Sequence, residues 1–338
     1  MRATVTPVRS SAGPGGPKSH IPVLLEAAIE ILQPAPGDVF FDGTFGGGGH
    51  AREILKRILP GGLLVAMDRD PAAAGRAKAF SAEFGAAFRF VPGNFADASD
   101  PLAALGRGEA PLDGAFLDLG LSTYQLDDPW RGFSFAADGP LDMRFDPQQR
   151  FTAADIVNSY PERRLRQVIH ELGQEPWAGP IAAAIVRRRR RSRFARTREL
   201  AEFVAGVIPR QRWPRRIDPA TRTFQALRME VNDEMESLRE GLEVIVSHLK
   251  PGGRIGVVAF HSLEDKAVKD FLNVEAKDCI CPPHQPVCTC NHRASVILPS
   301  PHPQRPGKDE IEANPRSRSA RLRGAIKLQP DSGQHRKK

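Results

Sequence analysis

No stretch of the 338 residues approaches the roughly 18 consecutive apolar residues of a membrane-spanning helix, so an integral helical membrane protein is not expected. The first 18 residues contain no acid and no apolar core of the kind a secretory signal needs. They are rich in Pro, Gly, Ser and Thr, which predicts a disordered tail over 1–18. An organellar transit peptide would share the Arg and the lack of acids, but these prolines and glycines oppose an amphipathic helix. A cytoplasmic location is expected. Lysine is missing between Leu141 and Gln225, where 18 arginines face nine acids. That stretch alone holds the whole positive excess of a chain with net charge +8. Cysteine is scarce: the four present all fall between Cys279 and Cys290.

What is present points to a globular α/β protein. Hydrophobic residues make up 41% and charged residues 26%, ordinary values, and the length suits two domains. The most informative stretch is Asp38-Val-Phe-Phe-Asp-Gly-Thr-Phe-Gly-Gly-Gly-Gly-His50. A short apolar run ends in Asp42, four glycines follow, and a helix is expected over 51–59. Strand, glycine loop and helix start in that order let backbone N–H groups approach a polar ligand without obstruction by Cβ atoms. A second strand over 62–67 ends in Asp68-Arg-Asp70, placing an acid where a nucleotide-binding sheet keeps its ribose acceptor.

The alternation continues with a helix over 71–84, a strand over 88–91, a helix over 95–105 and a strand over 114–118. Such alternation predicts a doubly wound parallel sheet with helices on both faces. Its ligand belongs at the carboxyl ends of the strands, where Asp42, Asp68, Asn94 and Asp118 all fall. From about residue 138 to 222 the pattern becomes helical (161–172, 181–189, 197–207), an inserted helical domain. Apolar residues spaced by three or four from Leu227 to Leu249 then predict one long amphipathic helix. Lys250-Pro-Gly-Gly253 ends it, a strand covers 254–260, a helix starts at Asp265, and 320–328 supplies a closing strand.

Arginine suits bidentate phosphate contacts and stacking on bases, so the insertion is expected to meet a polyanion, RNA or DNA. For Arg187, Arg188, Arg189, Arg190 and Arg191 taken alone, a solvated helix face is an equal reading. The glycine loop also satisfies the dinucleotide pattern Gly46-x-Gly48-x-x-Ala51, so a nicotinamide enzyme and an S-adenosylmethionine enzyme stand level on that evidence. The segment 115–127 lies past the fourth strand, where an amino-group methyltransferase meets its substrate amine. A ring-conjugated amine is a weak nucleophile. It needs hydrogen-bond acceptors that localise its lone pair and align it with the methyl donor.

Several longer motifs carry a specific resemblance. They are His20-Ile-Pro-Val-Leu-Leu25, Asp42 to His50, Asp68-Arg-Asp-Pro71, Leu117-Asp-Leu-Gly-Leu-Ser122 and Arg131-Gly-Phe-Ser-Phe135. Asp138 to Arg144, Ala220 to Ala226, Phe260-His-Ser-Leu-Glu-Asp265 and Asn314 to Ser319 complete the set. The chain resembles the RsmH (MraW) family of S-adenosylmethionine-dependent methyltransferases, acting on N4 of a decoding-centre cytosine in 16S rRNA. The resemblance runs from about residue 20 to 327. It implies a Rossmann-like class I methyltransferase sheet built from 19–137 and 223–328. An Arg-rich RNA-binding insertion would occupy 138–222, and a basic tail 329–338. It implies S-adenosyl-L-methionine as cofactor, held by Gly48, Gly49, His50, Asp68, Phe95, Asp118 and Gln125. Asp118, Ser122, Asp142 and His261 would serve the chemistry, Asp142 or His261 holding the amine or taking its proton. The implied partner is 16S rRNA within the small ribosomal subunit, with no membrane and no particular oligomeric state. The family's Ser-Ser-Pro-Gln reads Ser122-Thr-Tyr-Gln125 here, which leaves the backbone of that loop open.

Plainer readings of single residues remain. Asp42 can cap the following turn, His50 can be a helix N-terminal residue bonded to backbone, and Phe95 can be core. A nicotinamide-dependent oxidoreductase and a non-catalytic ribosome-assembly RNA binder stay as rival functions. No metal is assigned to the site. Cys279, Cys281, Cys288 and Cys290, with His284 and His292 nearby, are open between zinc ligands, free thiols and disulfides.

Overall fold

The computed structural model describes residues 22–329 except 107, 109, 110, 216, 284 and 286. The tails expected over 1–18 and beyond Gln329, together with His20, Ile21 and His284, lie outside the described residues. Helix α1 (Leu25–Leu32) leads into β1 (Val39–Asp42), α2 (Gly49–Ile58), β2 (Leu63–Asp68), α3 (Pro71–Phe84) and β3 (Phe88–Pro92). Then come α4 (Ser99–Ala103), β4 (Leu112–Asp118) and α5 (Thr123–Asp127). Helices α6 (Ala153–Ser159), α7 (Glu162–Glu171), α8 (Ala178–Arg189) and α9 (Thr197–Val207) occupy the stretch that interrupts the alternation. The chain returns through α10 (Thr221–Asn232), α11 (Glu234–Ser247), β5 (Leu249–Ala259) and α12 (Ser262–Glu275). It closes with β6 (Val296–Ile297), α13 (Lys308–Ala313) and β7 (Arg321–Lys327).

Among the described residues the sheet has seven strands, in the order β3-β2-β1-β4-β5-β7-β6. The first five are parallel to their neighbours, and β7 runs antiparallel to both β5 and β6. Strand order reverses between β1 and β4, the switch point at which an open α/β sheet leaves a crevice. The period of two along each strand divides the core. Val39, Phe41, Val65, Met67, Ala115 and Leu117 pack on one face with α11 and α12. Phe40, Leu64, Ala66 and Phe116 pack on the other with α1, α2 and α3. Strands apolar on both faces read in sequence as unbroken hydrophobic runs, which is why they were legible there.

The helical stretch has a buried core of its own, including Leu165, Ile169, Ile181, Ile185, Leu200 and Val204. Helix α10 shares in it through Phe224, Leu227 and Val231, so the helix is common to both parts of the fold.

Two expected helices differ. That over 95–105 is a 3-10 turn (Phe95–Asp97) followed by the short α4. The long helix over 227–249 is two, α10 and α11, broken where Asp233 adopts a left-handed conformation (φ 49°). The apolar spacing passes through the break undisturbed, so periodicity could not locate it. Asn232 holds it in place, its amide donating to the Met143 and Arg228 carbonyls and accepting from the Phe145 N–H (2.7–2.9 Å).

Candidate functional site

A cavity of about 990 Å³ opens at the carboxyl ends of β1, β2 and β4. The glycine loop after β1 forms one wall. Gly46, Gly47 and Gly49 face the cavity, and Gly46 N–H is held by Asp68 Oδ2 at 2.7 Å. Gly48 does not line it. Its φ is +78°, and a Cβ there would stand 2.4 Å from the Phe80 ring, so its place is to let the loop turn into α2. The other Asp68 oxygen accepts from Asp70 N–H at 2.8 Å, and burial raises the Asp68 carboxyl above its ordinary range.

Asp42, at the end of β1, both caps the turn and faces the cavity: Oδ1 accepts from Thr44 N–H at 3.0 Å. Burial, with Asp68 as a like-charged neighbour and Thr44 bonds opposing, pushes it up to about 7. The Thr44 hydroxyl oxygen in turn accepts from Asp118 N–H at 2.6 Å, tying the ends of β1 and β4 together. Asp118 is the focus of the cavity. Its Oδ1 is buried with no hydrogen-bond partner among the described residues, and its Oδ2 lies 3.7 Å from His50 Nδ1. Burial, then repulsion from Asp42 and Glu264, pushes Asp118 up to about 8. His50 is buried against Phe116 (ring centroids 4.4 Å apart), with Nε2 3.0 Å from the Val23 carbonyl.

Asn94 departs from expectation. Its side chain caps Ala96 N–H and donates to Ser237 Oγ at 2.9 Å, and it does not line the cavity. Three of the four strand-end residues therefore converge. Phe95, beside it, does line the cavity while nearly buried.

The loop after β4 is ordered although it lacks the proline that the resemblance led one to expect. Ser122 and Gln125 form a reciprocal cap: the Gln125 side-chain oxygen accepts from Ser122 N–H, and Ser122 Oγ accepts from Gln125 N–H. The Gln125 amide also donates to Asp70 Oδ2 at 3.0 Å, an oxygen shared with Arg131. Gln125 thus holds the wall in shape. Tyr124 lies over the glycine loop, with the Arg76 guanidinium 4.6 Å from its ring centre, and Arg76 anchors to the Gly46 carbonyl.

Two expected chemical residues are not brought to the cavity. Asp142 is engaged on both oxygens by Arg144 (2.7 and 2.8 Å), an ion pair that shapes the loop before α6. His261 caps α12 and faces a separate cleft with Arg318 and Arg321, its Nε2 2.8 Å from Glu264 Oε1. What reaches the cavity from this motif is Phe260 and Glu264.

A buried ion cluster behind the cavity was not anticipated. Arg228 binds Glu234 through two bonds (2.7 and 2.8 Å) and lies 3.7 Å from Glu264. Glu234 and Glu264 both line the cavity. Arg228 and Glu234 are six positions apart, about 120° from each other around a continuous helix and about 9 Å along its axis, so a continuous helix would put them on different faces. The break at Asp233 makes the pair. Burial raises Glu234 despite Arg228. Against burial, the hydrogen bond and charge of His261 and the charge of Arg228 hold Glu264 low. No local sequence signal marks the cluster: Arg228 and Glu234 are brought together by the backbone at Asp233, and Glu264 comes from a segment thirty residues further on.

The arginine run divides. Arg188 pairs with Glu199 and stacks on Phe194 (4.3 Å), and Arg189 donates to the Val157 and Tyr160 carbonyls. These two serve the helical core, whereas Arg187, Arg190 and Arg191 are exposed.

The model of the MraW methylase family matches residues 17–328. The chain is 49% identical to "Ribosomal RNA small subunit methyltransferase H" of Thermomicrobium roseum, covering 93% of this chain and 95% of that protein. It is 48% identical to the proteins of that name from Syntrophotalea carbinolica (91% and 98% covered) and Geobacter sulfurreducens (92% and 99% covered).

Proposed function

Because this chain belongs to the MraW methylase family, whose cofactor is S-adenosylmethionine, we propose that it methylates small-subunit rRNA at the exocyclic N4 of a decoding-centre cytosine. The nicotinamide reading of the glycine loop falls with that membership. Relatives named as small-subunit rRNA methyltransferases support the substrate, and the sequence resemblance supports the atom. One observation carries the chemistry: a buried carboxylate oxygen of Asp118, unpartnered among the described residues, at the switch point of the sheet.

The residues fit the cofactor. A carboxylate on β2 is buried beside the glycine loop, an aromatic lines the wall, and an acid keeps an acceptor oxygen available. In this reading Asp68 takes the ribose hydroxyls and Phe95 the adenine face. Gly49 and His50 bound the methionine portion, and Gly48 and Gln125 shape the loops that hold it. When bound, S-adenosylmethionine supplies an electrophilic sulfonium methyl. Asp118 Oδ1 accepts an N–H of the cytosine amine, localises its lone pair and takes the proton released on methylation. An acid raised to about 8 is suited to that transfer near neutral pH. Ser122, whose oxygen already accepts from Gln125, lines the same mouth and can donate its hydroxyl proton to the base. The reaction belongs in the cytoplasm, with the small subunit as substrate.

Incubation of small subunits with the protein and labelled methyl donor, followed by mass spectrometry of the rRNA nucleosides, is expected to yield N4-methylcytidine. Label on another nucleoside, or none, would end this reading. For the insertion, serine at Arg187, Arg190 and Arg191 is expected to weaken rRNA binding. The slope of log affinity against log salt should become shallower by roughly 0.7–0.9 for each phosphate that is no longer neutralised. Unchanged affinity and slope would remove these side chains from the RNA interface.

A further inference from the structure

Between α12 and β6 the chain makes an excursion over 276–295, closed at its neck by Ser295 N–H donating to the Glu275 carbonyl at 2.7 Å. Among the described residues, 277–295 contribute none to the three buried cores, and Val287 is 70% exposed. A loop this long without apolar packing needs another source of order.

Four sulfurs sit at its centre. The Sγ atoms of Cys279, Cys281, Cys288 and Cys290 all lie within 4.8 Å of one another. Cys279 to Cys288 is 3.6 Å, Cys281 to Cys288 3.9 Å, Cys288 to Cys290 3.6 Å and Cys279 to Cys290 3.8 Å. Sulfurs placed about 2.3 Å from a zinc ion at tetrahedral angles stand about 3.8 Å apart, so these edges have the right length. Backbone donors surround the set. Ile280 and His292 N–H point to Cys290 Sγ, Cys281 N–H to Cys279 Sγ and Thr289 N–H to Cys281 Sγ, each at 3.4 Å. Donors aimed at sulfur favour thiolate over thiol and orient it, as supporting groups around a metal do. The space admits a single ion and not an iron–sulfur cluster. His292 is committed elsewhere, its Nε2 2.9 Å from the Val274 carbonyl.

We propose that Cys279, Cys281, Cys288 and Cys290 bind one structural Zn²⁺ as four thiolates. The four ligands close the tetrahedron and leave no open position, so the ion orders the excursion and takes no part in methyl transfer. Binding replaces up to four thiol protons, which makes the site weaken as pH falls.

The full-length protein, purified without added metal, is expected to contain about one zinc per chain by mass spectrometry. Its four thiols should resist a thiol reagent until a chelator is added. Reloading the chelated protein with Co²⁺ alone should produce the strong visible absorption of a tetrahedral cobalt thiolate. Cys279→Ser with Cys288→Ser should lose the metal and expose 276–295 to protease while cofactor binding persists. Should that variant fail to fold, the metal content and thiol reactivity of the native protein still decide the matter. No stoichiometric metal with reactive thiols, thiols consumed as disulfides, or iron with sulfide would each overturn the proposal.

Discussion

Asp118→Asn is expected to lower kcat by about 10²–10³-fold while changing the Kd for S-adenosylmethionine by less than about tenfold. The change removes a charge and a proton acceptor at the oxygen that meets the amine, and keeps the shape of the cavity. For the native protein, kcat/KM should rise with pH as Asp118 ionises, with a midpoint near 8, because only the carboxylate accepts. The variant should lose that rise. The same substitution should stabilise the fold at alkaline pH. Between the ordinary value of 3.8 and about 8, the native carboxyl keeps its proton while the unfolded one has lost it. Native stability therefore falls as pH climbs through that window. Asparagine removes this cost, and its melting temperature at pH 8–9 should exceed that of the native protein, by roughly 1–2 °C for each kcal/mol regained. Unimpaired turnover together with an unchanged pH profile would dismiss Asp118 from the chemistry.

Arg228→Met is expected to cost about 3–5 kcal/mol in urea unfolding. The arginine is enclosed between Glu234 and Glu264, and among the described residues only His261 offers Glu264 another cation. Methionine restores much of the volume, so the loss reports uncompensated carboxylate rather than a void. The sign of its pH dependence follows from that. Glu234, already raised above its ordinary 4.5 by burial, loses the cation that opposes that rise, and Glu264 loses one of the charges that hold it low, so protonation relieves the variant at low pH and the penalty grows as pH rises. The cost should be clearly smaller at pH 5.5 than at pH 8. Glu234→Gln in the same background should recover part of the stability. Equal stability of Arg228→Met and the native chain at both pH values would mean that the cluster contributes nothing net.

The glycine loop and the acids at β1, β2 and β4 were legible because strand, turn and helix start are local features. Parallel strands buried on both faces announce themselves as short apolar runs, and an acid closing such a run falls at the carboxyl edge. The placement of Asp142 and His261 was not legible. Motif adjacency brought them near the mouth in expectation, but Arg144 satisfies one and α12 turns the other into a cap. The five arginines form one block in sequence, yet successive residues on α8 point in different directions. Phe194, Glu199 and the Val157 carbonyl therefore capture two and leave three to solvent.

By itself the sequence determined the doubly wound sheet, the carboxylates at three of its strand ends and the helical stretch that interrupts it. Each of these is written within a window of one or two elements. Tertiary structure alone decided which polar groups would meet. A single left-handed residue at Asp233 swings Glu234 onto Arg228, and the turn between Cys281 and Cys288 carries two cysteine pairs back against each other. Such meetings depend on backbone dihedrals at a few positions and on burial from distant segments, neither of which leaves a periodic trace in the chain.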